Sequence, residues 1–307
     1  MMICERRVIT NADVVVSTCD TSGSFVLEEV VFNTVLIDEA SQATEPEVLV
    51  PITHGAQRVI LVGDQCQLQP VVLSGQCKRC GLDCSLFERL IRIGMKTSLL
   101  RIQYRMHPIL SAFSNHLFYN DKLKDGVKEK NRPINPRICY PNGDAPLCFY
   151  HVVGNETVGG NGSSYMNMTE GKAVIELTLS LINSGVEPSQ IGIITGYTGQ
   201  KLLIQNLLSK SHLSSVEFAS VNMYQGREKD YIIFSCVRSN NRNMIGFLSD
   251  KKRLNVALTR ARYGIFVVGN AELLKHDDTW GMYVDYHIGY HSLVEGTVGT
   301  WRRLDTV

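Results

Sequence analysis

The run Val35-Leu36-Ile37 leads straight into Asp38-Glu39-Ala40-Ser41, and this constrains the fold more than any other feature of the chain. An apolar strand that delivers two adjacent carboxylates to its carboxyl end belongs in a buried parallel sheet, where ligands bind beyond the strand ends. It is the Walker B pattern. In a nucleotide hydrolase the first acid, Asp38, holds Mg²⁺ through water, and the second, Glu39, orients and deprotonates the attacking water. The pattern alone is also that of an ordinary acidic turn at a strand end. Its usual companion, the phosphate-cradling G-x-x-x-x-G-K-[ST], occurs nowhere in the sequence; the nearest approach, Gly171-Lys172-Ala173, lacks both the upstream glycine and the hydroxyl.

A chain of 307 residues with 44% hydrophobic residues is long enough for two globular domains. The start, Met1-Met2-Ile3-Cys4-Glu5-Arg6-Arg7, places charge where a signal peptide needs an apolar core, and no apolar run is long enough to span a bilayer. The expectation is therefore a protein of the cytosol or nucleus, without membrane attachment. Nine irregularly spaced cysteines then read as reduced thiols rather than a disulfide framework. A net charge of +1 neither supports nor excludes a nucleic-acid partner, because the electrostatic footprint that matters is a local groove.

Apolar strands alternate with helical stretches along the whole chain, which predicts an α/β architecture of parallel sheets flanked by helices. The expected strands are 13–17, 34–38, 58–62, 147–152, 190–195, 216–220, 231–236 and 263–268. Helical spacing marks Leu86-Phe87 with Leu90-Ile91, started by Ser85 and Glu88 in a capping-box pattern, and also Val174 to Ile182 and Lys201 to Leu208. The stretch from Asp121 to Asp144, with Pro133, Pro136, Pro141 and Gly143, reads as a surface excursion, and Gly154 to Ser164 as a second irregular segment.

The segments after Asp38 make the signal specific. Gly63-Asp64-Gln65-Cys66-Gln67-Leu68-Gln69-Pro70 follows the next apolar strand and places Gln67 beside the two acids. Gln103-Tyr104-Arg105-Met106-His107-Pro108 pairs a cation with an aromatic neighbour. Gln225-Gly226-Arg227-Glu228-Lys229-Asp230 precedes a strand, and Arg253-Leu254-Asn255-Val256-Ala257-Leu258-Thr259-Arg260-Ala261-Arg262 is expected to put two arginines on one short helix. In this order these resemble the motifs of superfamily 1 helicases. Asp38 to Glu47, Gln103 to Pro108, Ser163-Ser164-Tyr165, Gln225 to Asp230 and Arg253 to Gly264 resemble more closely the up-frameshift RNA helicases, the regulators of nonsense transcripts. The likeness runs from about Asn11 to Leu293-Val294-Glu295-Gly296.

The resemblance implies tandem RecA-like domains: residues 1–103 as the remainder of a first domain truncated at its amino end, 104–295 as the second, and 296–307 as a tail. It implies ATP and Mg as cofactors, with Asp38 on the metal, Glu39 as base, and Gln67 and Arg105 approaching the γ-phosphate. It further implies Tyr104 on the adenine, Glu228 accepting from the ribose, and Arg260 as an arginine finger, with Arg262 a structural or phosphate-side neighbour. Single-stranded RNA would be contacted by Thr195, Tyr197, Gln200 and Ser220 at the second domain's strand ends. mRNA decay and translation-termination factors would be partners of a monomer. Four positions depart from the family pattern: Asn222 replaces an aspartate, Gly196 a proline, and Gln65 and Gln69 a histidine and a glycine.

Cys77-x-x-Cys80-x-x-x-Cys84, with Cys66 upstream, offers four thiols, but zinc sites pair two short-spaced couples and no second couple or nearby histidine is present. Three functional classes follow: a piece of an ATP-dependent RNA helicase, the favoured reading; a non-hydrolysing module that binds RNA or decay factors; and a superfamily 1 helicase acting on DNA or in another RNA pathway.

Overall fold

The computed structural model describes residues 2–159, 164–209, 213 and 215–307, with the side chains of 2–5 excepted. Ser163, one of the residues that carry the family resemblance, lies outside them. The chain divides into two compact units, Met1–Leu99 and Leu100–Val307.

In the first unit, α1 (Met2–Thr10) and α2 (Cys19–Ser22) precede β1 (Thr34–Ile37), α3 (Glu45–Ile52), β2 (Arg58–Leu61), α4 (Gly75–Arg79) and α5 (Leu86–Arg92). β1 and β2 pair in parallel, Thr34 opposite Arg58 through Ile37 opposite Leu61. Helix α3 is started by Glu47, whose Oε2 accepts the Thr44 N–H at 2.6 Å. α5 is started by Ser85, whose Oγ accepts the Glu88 N–H at 3.1 Å, and a two-pronged Arg89–Glu45 contact ties it to α3 (2.7 Å for both bonds). The core beneath is small: Ile37, Ala40, Val48 and Leu86. Leu36 is 61% exposed and Ile60 41%, so two strands alone do not bury residues suited to a sheet covered on both faces. The strand expected over 13–17 is absent. That segment has no ladder partner among the described residues, and Val14 and Val16 face solvent.

The second unit opens with β3 (Ile102–Gln103), α6 (Pro108–Tyr119), β4 (Lys124–Asp125) and β5 (Leu147–His151). It continues through the β6–β7 hairpin (Glu156–Val158 and Tyr165–Asn167), α7 (Met168–Asn183), β8 (Ile191–Thr195), α8 (Thr198–Ser209), β9 (Glu217–Ser220) and β10 (Lys229–Ser235). Then follow α9 (Lys251–Leu258), β11 (Ala261–Gly269), α10 (Ala271–Leu274), α11 (Asp278–Gly289), β12 (Leu293–Thr297) and β13 (Thr300–Arg303). Seven strands form one sheet in the order β13-β12-β5-β11-β10-β8-β9. All neighbours run parallel except the β12–β13 pair. This is the parallel, helix-flanked sheet that the alternating pattern predicts.

Strand alternation divides the core between the two faces. Tyr231, Ile233, Phe266 and Val268 pack with Val174, Leu177 and Leu181 of α7 and Ile204 and Leu208 of α8, whose spacing is that of a helix stripe. On the opposite face Phe234 stacks on the fully buried Trp280 of α11, 6.0 Å between centroids.

Two expectations change here. Residues 296–307 are not a separate tail, because β13 pairs antiparallel with β12, Val294 opposite Arg303. The stretch 121–144 is not wholly a surface excursion either: Ile138 and Tyr140 are buried, and Tyr140 stacks on Phe266 at 5.3 Å. Gly264 makes the room for that ring, since a Cβ there would lie 2.0 Å from the Tyr140 hydroxyl.

Candidate functional site

In the first unit the two acids follow β1, and Gln67 lies on the loop that follows its parallel partner β2. The Asp38 carboxylate accepts the Glu39 N–H at 2.9 Å, and Glu39 itself sits in the left-handed region with φ of 51°, a conformation uncommon for a residue other than glycine. Ala40 N–H donates to Val62 O at 2.8 Å, extending the ladder one step beyond the strands. Gly63 packs against this turn: a Cβ there would lie 3.0 Å from the Ser41 nitrogen. Asp64 then organises the next loop. Its Oδ1 accepts the Cys66 N–H at 2.9 Å, its Oδ2 the Gln67 side-chain amide at 2.8 Å, and its own N–H reaches Ser41 Oγ at 3.3 Å. The Gln67 amide is thereby held in one orientation on the loop that neighbours the acids.

In the second unit a charged cluster assembles from four distant stretches of sequence. Gln103 accepts the N–H groups of Arg105 and Met106 at 2.9 and 2.8 Å, and His107 N–H donates to Arg262 O at 2.9 Å, which fixes the turn against β11. Arg105 Nε then donates to Glu228 Oε2 at 2.5 Å and its Nη1 to Thr259 O at 3.2 Å. Arg262 lies 3.8 Å from Glu228 and 3.5 Å from Asp230. Burial raises the Glu228 carboxyl, but the hydrogen bond and charge of Arg105, with the charges of Arg262 and Arg132, outweigh it and hold the group below the usual carboxylate range. Arg132 is the member that sequence reasoning missed. Its guanidinium donates to Arg105 O and Tyr104 O at 3.0 and 3.2 Å and lies 5.2 Å over the Tyr263 ring. A lone arginine in a proline-rich stretch carries no sequence signal for that position.

Tyr104 is 65% exposed and rests on Gly126, where a Cβ would come within 2.4 Å of the ring. An aromatic ring so placed is available for stacking. Arg260 is buried, with Nε donating to Val256 O at 2.9 Å and Nη2 to Thr259 Oγ1 at 2.7 Å. The two arginines do not share a helix as expected: α9 ends at Leu258, Arg260 follows it with its guanidinium folded back on the helix end, and Arg262 is half-exposed in β11.

The strand-end residues named for RNA divide differently. Thr195 and Gln200 are fully buried. Gln200 accepts the Asn167 N–H at 2.8 Å and donates to Asn167 O at 3.2 Å and Ser235 Oγ at 3.1 Å. Its amide therefore serves as an internal bridge between β7, α8 and β10 rather than as a surface contact. Tyr197 is buried, its hydroxyl donating to Ile245 O at 3.3 Å. Ser220 is half-exposed at the end of β9. The departure at Gly196 has a local reason: a Cβ there would lie 2.6 Å from the Phe247 ring. Among the described residues no group of three or more histidine, cysteine or acidic side chains is arranged to hold a metal. Cys77, Cys80 and Cys84 line a surface cleft of about 480 Å³ with Glu45.

An AAA domain matches residues 82–272 and a second AAA domain matches residues 3–75. The chain belongs to the AAA-domain family. Within it the likeness is to the superfamily 1 helicases that regulate nonsense transcripts. Regulator of nonsense transcripts 1 of Caenorhabditis elegans is 44% identical over 98% of this chain and 29% of its own length. The ATP-dependent helicase NAM7 of Saccharomyces cerevisiae is 44% identical over 96% of this chain and 31% of its own. The chain thus spans about a third of these relatives or less. Among solved structures, the PRRSV helicase aligns with 78% of this chain and 36% of its own at 16% identity, with a TM-score of 0.42. No helix among the described residues is long and apolar enough to cross a membrane.

Proposed function

We propose that the chain carries part of the motor core of an ATP-dependent RNA helicase acting in nonsense-mediated mRNA decay. The observation that carries this reading is the convergence of Arg105, Glu228 and Arg262, from three separate motifs, into one ion-paired cluster beside the exposed Tyr104. Such a cluster has cations for phosphate, a carboxylate for a ribose hydroxyl and a ring for a base. The resemblance supplies the rest of the assignment: Glu39 as base, Gln67 and Arg105 toward the γ-phosphate, Arg260 as finger. Asp38 suits Mg²⁺, because one carboxylate oxygen is used by the Glu39 N–H and the group remains exposed, a hard oxygen donor open to a hydrated cation. Bound there, Mg²⁺ supplies charge neutralisation at the phosphates. The reading extends to single-stranded RNA at the strand ends, to decay and translation-termination factors as partners, and to a monomer working in the cytosol or nucleus.

The chain as it stands has no G-x-x-x-x-G-K-[ST], so it is expected to bind a single-stranded oligoribonucleotide without measurable ATP hydrolysis. RNA-stimulated hydrolysis abolished by Glu39→Gln would contradict this. Joined to the phosphate-loop segment of a relative, the chain should hydrolyse ATP in response to RNA. In that protein Arg260→Ala should lower turnover by about 10³-fold or more with nucleotide binding little changed, whereas Glu228→Ala should chiefly weaken binding. Turnover within a few-fold of the parent at saturating ATP and RNA would move the finger role to Arg262.

A further inference from the structure

The segment leaving β10 is built more rigidly than an ordinary connection, and it stands at the carboxyl edge of the sheet beside Tyr197. Val237, a β-branched residue, is held at φ of 72°, a conformation that costs on the order of 1–3 kcal/mol and persists only where the surroundings impose it. The surroundings here are explicit. Asn167 Nδ2 donates to Val237 O at 3.2 Å, and Glu170 Oε2 accepts the Val237 N–H at 2.7 Å. Immediately afterwards one carboxylate, Glu156 of the β6–β7 hairpin, collects four donors: Arg238 Nε and Nη2 at 3.0 and 3.1 Å, Ser239 N–H at 2.7 Å and Asn240 Nδ2 at 3.1 Å. The Arg238 guanidinium is further pinned 4.3 Å over the Tyr165 ring, so that arginine is consumed inside the protein.

Asn240 closes the loop from within. Its Oδ1 accepts the N–H groups of Arg242 and Met244 at 3.0 and 3.2 Å, and its Nδ2 donates to Met244 O at 2.9 Å. The result is a fixed tip, 241–244, whose four residues are exposed. At the tip Arg242 makes no ion pair among the described residues, and Met244 is 56% exposed. Beyond the tip Ile245 O receives the Tyr197 hydroxyl, which sets the loop next to the strand ends. A half-buried carboxylate, a strained valine and the Asn240 side chain thus hold the backbone of the tip, from which the exposed Arg242 side chain projects.

Resting on the RNA reading above, we propose that this loop is a contact site for the RNA strand, with Arg242 binding a backbone phosphate and the Met244 side chain lying against the adjoining base. Arginine matches phosphate geometry with paired donors, and an exposed thioether makes a favourable contact with an aromatic face. The loop supplies outward-facing groups at a sheet edge where Thr195 and Gln200 point inward.

The test measures binding of a fluorescent oligouridylate to the full chain by anisotropy across a salt series. Arg242→Ala should weaken binding roughly three- to tenfold and make the slope of log K against log salt shallower by about 0.7, the loss of one single-strand phosphate contact. Arg242→Lys should restore most of the slope. Asn240→Ala, which keeps every cation but frees the tip, should also weaken binding. Arg137→Ala is the control: this exposed arginine lies beside Gly185, at the end of α7 away from the strand carboxyl ends, and its loss should leave both quantities unchanged. If the parent chain binds and Arg242→Ala matches it in affinity and slope, the loop is overturned while the RNA reading stands. Equal losses for Arg242→Ala and Arg137→Ala would likewise overturn it, as general charge attraction. A parent chain that does not bind oligouridylate at all would overturn the RNA reading, and this site with it.

Discussion

Glu170 shows how far a single side chain can depart from its expected chemistry. It is fully buried in the first turn of α7. Burial raises its carboxyl strongly, the bonds from Val237 N–H and the Ser235 hydroxyl pull the other way, and the outcome is an acid near 8. Unfolded, the same group titrates near its ordinary value of 4.5. Below that value both states hold the proton and the group adds no pH dependence; between the two values only the folded chain keeps it. Its contribution to stability is therefore intact at low pH and is lost as pH rises toward 8. His287 works in the opposite sense, because burial holds it near 3, so stability falls as pH drops below the ordinary histidine value. Glu170→Gln removes the first effect and keeps the second. Urea unfolding should show the variant gaining on the parent by about 1 kcal/mol or more between about pH 5 and pH 8. A constant difference across that range would mean that Glu170 is ionised in the folded chain.

At the scale of elements, the central strands were readable because they are fully buried: Ile191 to Thr195 and Tyr231 to Ser235 are apolar runs whose ends the structure moves by only one or two residues. What sequence could not show was the direction of polar residues at strand ends. Thr195 and Gln200 read as surface contacts for RNA, yet both are buried, and Gln200 bridges Asn167 and Ser235 inside the unit, because alternation alone does not say where a sheet edge is covered. The arginine and glutamate motifs were legible as motifs, but Arg132 was not, since only folding brings it to Tyr104 and Arg105. The same limit hid Tyr140. Its ring returns a proline-rich excursion to the core over Gly264, so the contact is open to a packing test. Gly264→Ala should destabilise the second unit by roughly 1–3 kcal/mol through overpacking. Adding Tyr140→Phe, which removes the hydroxyl that meets the new methyl, should recover part of that loss in a double-mutant cycle. Strict additivity would place the strain elsewhere in β11.

The two units differ in how much of their own sheet they bury, and stability should follow that difference. In Leu100–Val307 the central strands β5, β8, β10 and β11 each have a neighbour on both sides, and their residues are almost all buried. In Met1–Leu99, β1 and β2 have only each other as strand partners among the described residues, and Leu36, Val59 and Ile60 are 61%, 39% and 41% exposed. Edge strands with unpaired backbone groups and little cover open readily. Amide exchange should therefore be fast in β1 and β2, at rates approaching those of loops, and slow in β8, β10 and β11, where opening requires loss of the whole sheet. Limited proteolysis should cut within the first unit before the second and leave a resistant core beginning near residue 100, the boundary between the units. That core, expressed alone, should unfold cooperatively, because its sheet and the helices packed on it are complete within it. Equal protection of β1 and β10 would show that the first unit has stability its small core of Ile37, Ala40, Val48 and Leu86 does not account for.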